Sequence, residues 1–185
     1  MNSTSLIHHH PLTKRLANLL KKAGPKAWQA SDFAGVDQLH LGGLEASKAL
    51  AQWLPLNATR GLDIGCGLGG TSRYLVVNHG CSMVGLDLNN DYIQAAQLLN
   101  SHLPGLSDCH FVAGNSLALP FAEHSFDFVV SQHASMSIAQ KAVLLAAWPS
   151  ARPSHKKPST AITTMRLVCL FPLAKVVSMK RCLPP

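Results

Sequence analysis

The run "GLDIGCGLGGTSRYL", Gly61 to Leu75, constrains this chain more than any other stretch. A short apolar segment carrying Leu62 and Ile64 breaks into Gly65, Gly67, Gly69 and Gly70, then resumes with helical periodicity. A chain built this way brings bare backbone close to a small ligand at the junction of a buried strand and a helix.

The same grammar repeats downstream. "CSMVGLDL" (81–88) reads as a second strand and "NDYIQAAQLLN" (90–100) as a second helix. "CHFVAG" (109–114) and "SFDFVVSQ" (125–132) read as two more strands, and "SIAQKAVLLAAW" (137–148) as a helix. Strands alternating with helices at this spacing predict an α/β fold, a Rossmann-like parallel sheet with flanking helices. Ligands of such sheets bind beyond the carboxyl ends of the strands. The loops opening at Gly65, Asp87, Asn115 and Gln132 therefore share one rim.

Upstream, Leu12, Leu16, Leu19 and Leu20 fall on one helical face ended by Gly24 and Pro25. Leu44 to Leu54 predicts another helix, with Leu44, Leu50, Ala51 and Leu54 inward. The division expected is a helical lid over 1–58, a ligand-binding core over 59–148 and a basic tail over 149–185. The tail breaks the pattern, because no glycine follows Gly114 and no acid follows Asp127. "WPSARPSHKKPST" (148–160) stands where another strand–helix repeat is expected, so the C-terminal part of the fold reads as missing or replaced. A genuine basic extension is the alternative.

Charge follows the same division. The net charge is +7, yet residues 1–127 hold eight Lys/Arg against nine Asp/Glu, and residues 128–185 hold eight Lys/Arg and no acid. The positive balance belongs to the last third, which weakens a nucleic-acid reading of the whole chain and leaves a basic-tail binding module as a minor alternative. The acid-poor start before Asp32 fits a plain amphipathic helix or an organelle transit peptide. Five scattered cysteines lack metal-ligand spacing, which predicts a reducing cytoplasm and no metal site. No uninterrupted apolar run reaches the length of a membrane span.

Gly65, Gly67 and Gly70 satisfy the dinucleotide pattern G-x-G-x-x-G, with Asp87 as the acid about 20 residues on. Asp63 argues against a nicotinamide or flavin, because a dinucleotide strand carries an apolar side chain there. An acid at that point suits a ligand with a positive group near the strand end. S-adenosylmethionine has one: Asp63 can attract its ammonium, and the helix N-terminus favours its carboxylate. Asp87 is placed to accept both ribose hydroxyls, and Asn115 and Ser116 to bond the adenine edge. Cys66, Leu88 and Gln132 complete the candidate cofactor set with Gly65, Gly67 and Gly69.

"GLDIGCGLGGTSRYL", "VGLDLNNDYIQAA", "GNSLALPFAEHSFDFVVSQ" and "HASMSIAQKAVLL" resemble consecutive blocks of class I S-adenosylmethionine-dependent methyltransferases. "DQLHLGGLEASKALA" is similar to the approach segment of their small-molecule branch, which includes sarcosine/dimethylglycine and ubiquinone/menaquinone-pathway enzymes. The resemblance, over roughly residues 36–147, implies methyl transfer to an amine or quinol. It places Asn115 where the family usually has Asp and Ser137 where the branch usually has Asn. His133 is the candidate base, with His40 and Met136 on the acceptor side. A non-catalytic truncated pseudoenzyme is the competing expectation.

Overall fold

The computed structural model describes residues 11–54, 56, 59–134, 138–140 and 142–143, and the backbone of 166–167 and 177–178. Helices α1 (Leu12–Ala23), α2 (Ala30–Asp37) and α3 (Gly43–Ala51) precede strand β1 (Arg60–Ile64). Then come α4 (Gly70–His79), β2 (Ser82–Asp87), α5 (Asn90–Ser101), β3 (Cys109–Ala113) and β4 (Phe128–Val130). The sheet order is β3-β2-β1-β4 and every pairing is parallel. Strands β5 (Arg166–Leu167) and β6 (Val177–Ser178) pair antiparallel as a separate two-residue ladder.

Alternation along the strands sorts residues between two faces. Leu62, Ile64, Val84 and Leu86 bury on one face around Phe126, with Leu117, Leu119 and Phe121 packed beside them. On the other face Met83, Phe111, Phe128 and Val130 meet Leu75 of α4, Leu99 of α5, Leu50 of α3 and Leu20 of α1. Period two then forces Asp63, between Leu62 and Ile64, toward the helical layer. Its register partners are Gly85 on β2 and Val130 on β4.

Three expectations change. Residues 30–37 form α2, which hydrophobic periodicity does not announce. Its eight residues include Gly35 and Val36, and its signal is a capping box in which the Gln29 N–H donates to Asp32 Oδ2 at 2.9 Å. Leu19 is 63% exposed although it falls within the apolar arc of α1. The buried stripe runs through Leu12, Leu16 and Leu20, and Leu19 lies on its far shoulder. The fourth strand closes at Val130, because His133 adopts a left-handed backbone (φ 63°) that turns the chain away. The helix expected over 137–148 and the missing or replaced C-terminal part over 149–185 lie outside the described residues, apart from the isolated positions named above.

No helix among the described residues is long and apolar enough to cross a membrane.

Candidate active site

The carboxyl ends of β1 and β2 carry the two acids that organise the rim. Asp63 is 3% exposed and accepts the Ser72 hydroxyl at 2.8 Å from the first turn of α4. Burial raises its carboxyl to about 6, helped by the Asp87 charge and opposed by the Ser72 hydrogen bond. Asp87 is half-buried and spans two backbone donors. Its Oδ2 accepts Gly67 N–H at 2.9 Å and its Oδ1 accepts Asn89 N–H at 2.9 Å. The Gly65 and Cys66 amides donate to the Leu86 carbonyl at 2.7 and 3.1 Å, locking the turn after β1 onto β2.

The glycines let neighbouring side chains pack closely against the turn. All three of Gly65, Gly67 and Gly69 have positive φ. A Cβ on Gly65 would stand 2.0 Å from Ala134 Cβ, and one on Gly69 would stand 2.2 Å from the Phe111 ring. Only Gly67 faces looser surroundings, with Leu39 Cδ1 at 3.1 Å. The first turn of α4 is likewise covered: Asp37 and Gln38 press against Gly70, where the ligand carboxylate was expected.

Cys66 tucks beside Gly85, and burial pushes its thiol well above the usual range. That makes it a packing group rather than a nucleophile. Leu88 is 76% exposed next to Asp87, an apolar surface at the rim. Asn115 is exposed and already caps its own turn, its Oδ1 accepting Leu117 N–H at 2.9 Å; Ser116 beside it is half-buried.

At the end of β4 the chain builds a polar cluster. Gln132 Oε1 accepts the Thr71 hydroxyl at 2.5 Å, while Gln132 Nε2 is buried with no hydrogen-bond partner among the described residues. His40 Nε2 lies 2.9 Å from Gln38 Oε1, 3.2 Å from Thr71 Oγ1 and 3.3 Å from Ser47 Oγ. The His133 ring stacks on His40 with centroids 6.1 Å apart and planes 2° from parallel. Both His133 ring nitrogens are buried without partners among the described residues. Burial lowers the His40 pKa, opposed by its hydrogen bond to the Leu41 carbonyl, and the neighbouring His133 lowers it further. Met136 and Ser137 lie outside the described residues.

Sequence reasoning missed the groups that hold these residues. Ser72, Thr71, Ser47 and Gln38 carry no motif of their own. Arg73 and Asp37 form a buried ion pair at 2.9 Å, and Arg73 also donates to Asn100 Oδ1 at 3.0 Å and to the Leu68 carbonyl. A lone Arg in an apolar helix, with no acid at helical spacing, was the available signal. Among the described residues no group of three or more His, Cys, Asp or Glu is placed to hold a metal ion.

A parallel sheet in the order 3-2-1-4, a buried acid ending the first strand and a second acid seated on the glycine turn define the class I S-adenosylmethionine-dependent methyltransferase architecture. Residues 62–149 match the family model described as the methyltransferase domain. It is 34% identical over 99 residues to a 2-methyl-6-phytyl-1,4-hydroquinone methyltransferase of Synechocystis, covering 51% of this chain and 30% of that one. It is 31% identical over 106 residues to a phosphoethanolamine N-methyltransferase of Plasmodium falciparum, covering 57% of this chain and 39% of the relative. The fold superposes on Haemonchus contortus phosphoethanolamine N-methyltransferase 2 in complex with S-adenosyl-L-methionine, with a TM-score of 0.59 and 22% identity. That match covers 75% of this chain and 33% of the other. The chain thus spans well under half the length of each of these relatives.

Proposed function

We propose that this chain binds S-adenosylmethionine and transfers its methyl group to a small-molecule acceptor of amine or quinol type. The observation that carries the reading is the pair of acids at adjacent strand ends, Asp63 buried and Asp87 fastened to the Gly67 amide. A carboxyl buried without a cation is what a ligand ammonium completes. Asp87 is half-buried, and each of its oxygens can accept a further hydrogen bond beyond the Gly67 and Asn89 amides, which suits the two ribose hydroxyls. Leu88 covers one side of the adenine, and Asn115 and Ser116 meet its edge. Cys66, with Gly65, Gly67 and Gly69, shapes the backbone wall of the pocket.

The ligand supplies an electrophilic methyl on a sulfonium. The chain's own task is to align an acceptor with that methyl and keep water out. The segment 12–54 acts as the lid, through Leu39, His40 and the Asp37–Arg73 tie. Gln132 orients the acceptor through its free Nε2, with His40 and Met136 on the acceptor side. His133 takes the proton when the acceptor arrives protonated.

Isothermal titration of the full chain, checked for foldedness by circular dichroism, tests the cofactor. Micromolar or tighter binding of S-adenosylmethionine, lost in Asp63→Ala, is the expected result. Binding of NAD with none of the methyl donor overturns it.

A further inference from the structure

We propose that the outer flank of α1, with the groove at its C-terminal end, docks on an anionic phospholipid surface. The observations lie away from the strand-end rim and do not depend on the ligand assigned to it. Helix α1 runs alongside α5, its first turn held at Asp91 and its last turn beside Leu98 and His102. Leu12, Leu16 and Leu20 face inward, so the helix is committed to the fold by one stripe only. Its other side presents Lys14, Arg15, Lys21 and Lys22, all exposed, and among the described residues none of these is held in an ion pair.

Charge alone would suit any polyanion. Two apolar features that border the basic arc, one on each side of it, favour lipid. Leu19 stands 63% exposed at the edge next to Arg15 and Lys22, one turn from each. Where α1 ends, a groove of about 640 Å³ is lined by Leu20, Lys21, Lys26, Trp28, Leu98 and His102. Lys26 sits 4.6 Å above the Trp28 ring and is neutralised by Asp32, so the groove joins an aromatic floor to a cationic lip at Lys21. A basic helix flank bordered by an exposed leucine, with a half-buried tryptophan at its end, matches the headgroup and upper acyl region of an anionic leaflet. A nucleic acid would use the cations and leave Leu19 and the groove floor in water.

The test is co-sedimentation of the full chain with phosphatidylcholine vesicles, alone or with about a third phosphatidylglycerol. Binding is expected only to the phosphatidylglycerol vesicles, and salt raised to about 0.5 M should release it. Lys21→Gln with Lys22→Gln should weaken partitioning about thirtyfold, while Lys48→Gln on α3 should not. Leu19→Gln should weaken it while leaving the salt dependence unchanged. Equal binding by wild-type and Lys21→Gln/Lys22→Gln protein would overturn the proposal, since the basic residues beyond 148 would then be responsible. So would failure to sediment, or release from the vesicles by single-stranded DNA with Leu19→Gln without effect.

Discussion

Asp37, at the end of α2, accepts from both the Nε and an Nη of Arg73 through a single oxygen, at 3.2 and 2.9 Å. Both side chains are almost wholly buried. Arg73 reaches further, to the Leu68 carbonyl inside the glycine turn and to Asn100 on α5. One guanidinium therefore ties α2, the glycine turn after β1 and α5 together.

Arg73→Met should lower stability by about 3–5 kcal/mol, because it strands a buried carboxylate with no partner. Burial already raises the Asp37 pKa against the pull of Arg73, so the stranded acid will take up a proton rather than stay charged. Arg73→Lys should rescue little, since a single ammonium cannot serve Asp37, Leu68 and Asn100 at once. Urea denaturation should show the midpoint falling with the slope unchanged.

Asp63→Asn should make the ligand-free protein more stable at pH 7 and abolish binding of the methyl donor. The unfolded chain releases this proton near 3.8, the folded chain only near 6. Folding therefore loses stability as pH rises from about 4 to 6, and the deficit persists above, on the order of 2–3 kcal/mol. Asparagine keeps an acceptor for the Ser72 hydroxyl and removes the charge. The thermal midpoints of the two proteins should converge at pH 4 and diverge by pH 7. In wild type, donor affinity should fall below pH 6, as Asp63 protonates and its attraction for the ammonium disappears. Titration calorimetry across pH 5–8 reads that directly.

Much of this site was legible because strand periodicity and glycine spacing are local. Leu62 and Ile64 set the face on which Asp63 lies, and the glycine turn set where β1 had to end. Asp63, Asp87, Gln132 and both histidines could be named for that reason. Their supports could not, because Ser72, Thr71, Ser47 and Arg73 acquire meaning only from partners brought in by packing. The buried pair joins residues 37 and 73, a separation that no periodicity encodes. The packing at Gly65 and Gly69 was not legible on similar grounds: Ala134 and Phe111, which fill the space beside them, come from distant strands and loops. Helix α2 escaped notice because its start signal is a Gln–Asp box, and its length gives barely two turns of pattern.

Asp91→Ala should loosen α1 without disturbing the sheet. Pro11 precedes that helix and offers no side-chain cap, so Asp91 caps it from α5, accepting Leu12 N–H at 2.6 Å and Thr13 N–H at 3.1 Å. The Thr13 hydroxyl adds a 2.6 Å bond. Loss of a cap of this kind costs about 1–2 kcal/mol. Those bonds, the Thr13 hydroxyl first, hold the Asp91 carboxyl below its ordinary 3.8. The contribution is complete above the unfolded value and is lost only as pH falls through the folded one. Hydrogen exchange should show faster opening of α1 amides, and trypsin should cut sooner at Lys14 and Arg15, with β1 and β2 protection unchanged.

His133 carries the last prediction, because strain and proposed chemistry meet in one residue. A non-glycine side chain at φ 63° costs about 1–2 kcal/mol, which a packed turn tolerates when it must aim a group. Here it lays the ring against His40 and buries both nitrogens. His133→Gly should therefore fold as well as or better than wild type, by up to about 1 kcal/mol. His133→Asn, which also accepts a left-handed backbone, should be near neutral in stability. Both should bind the methyl donor normally. With an acceptor that must lose a proton, both should slow turnover by about 100-fold or more at an unchanged KM for the donor. Single-turnover measurements with labelled donor decide it: full activity in His133→Asn would leave the residue a turn-former only.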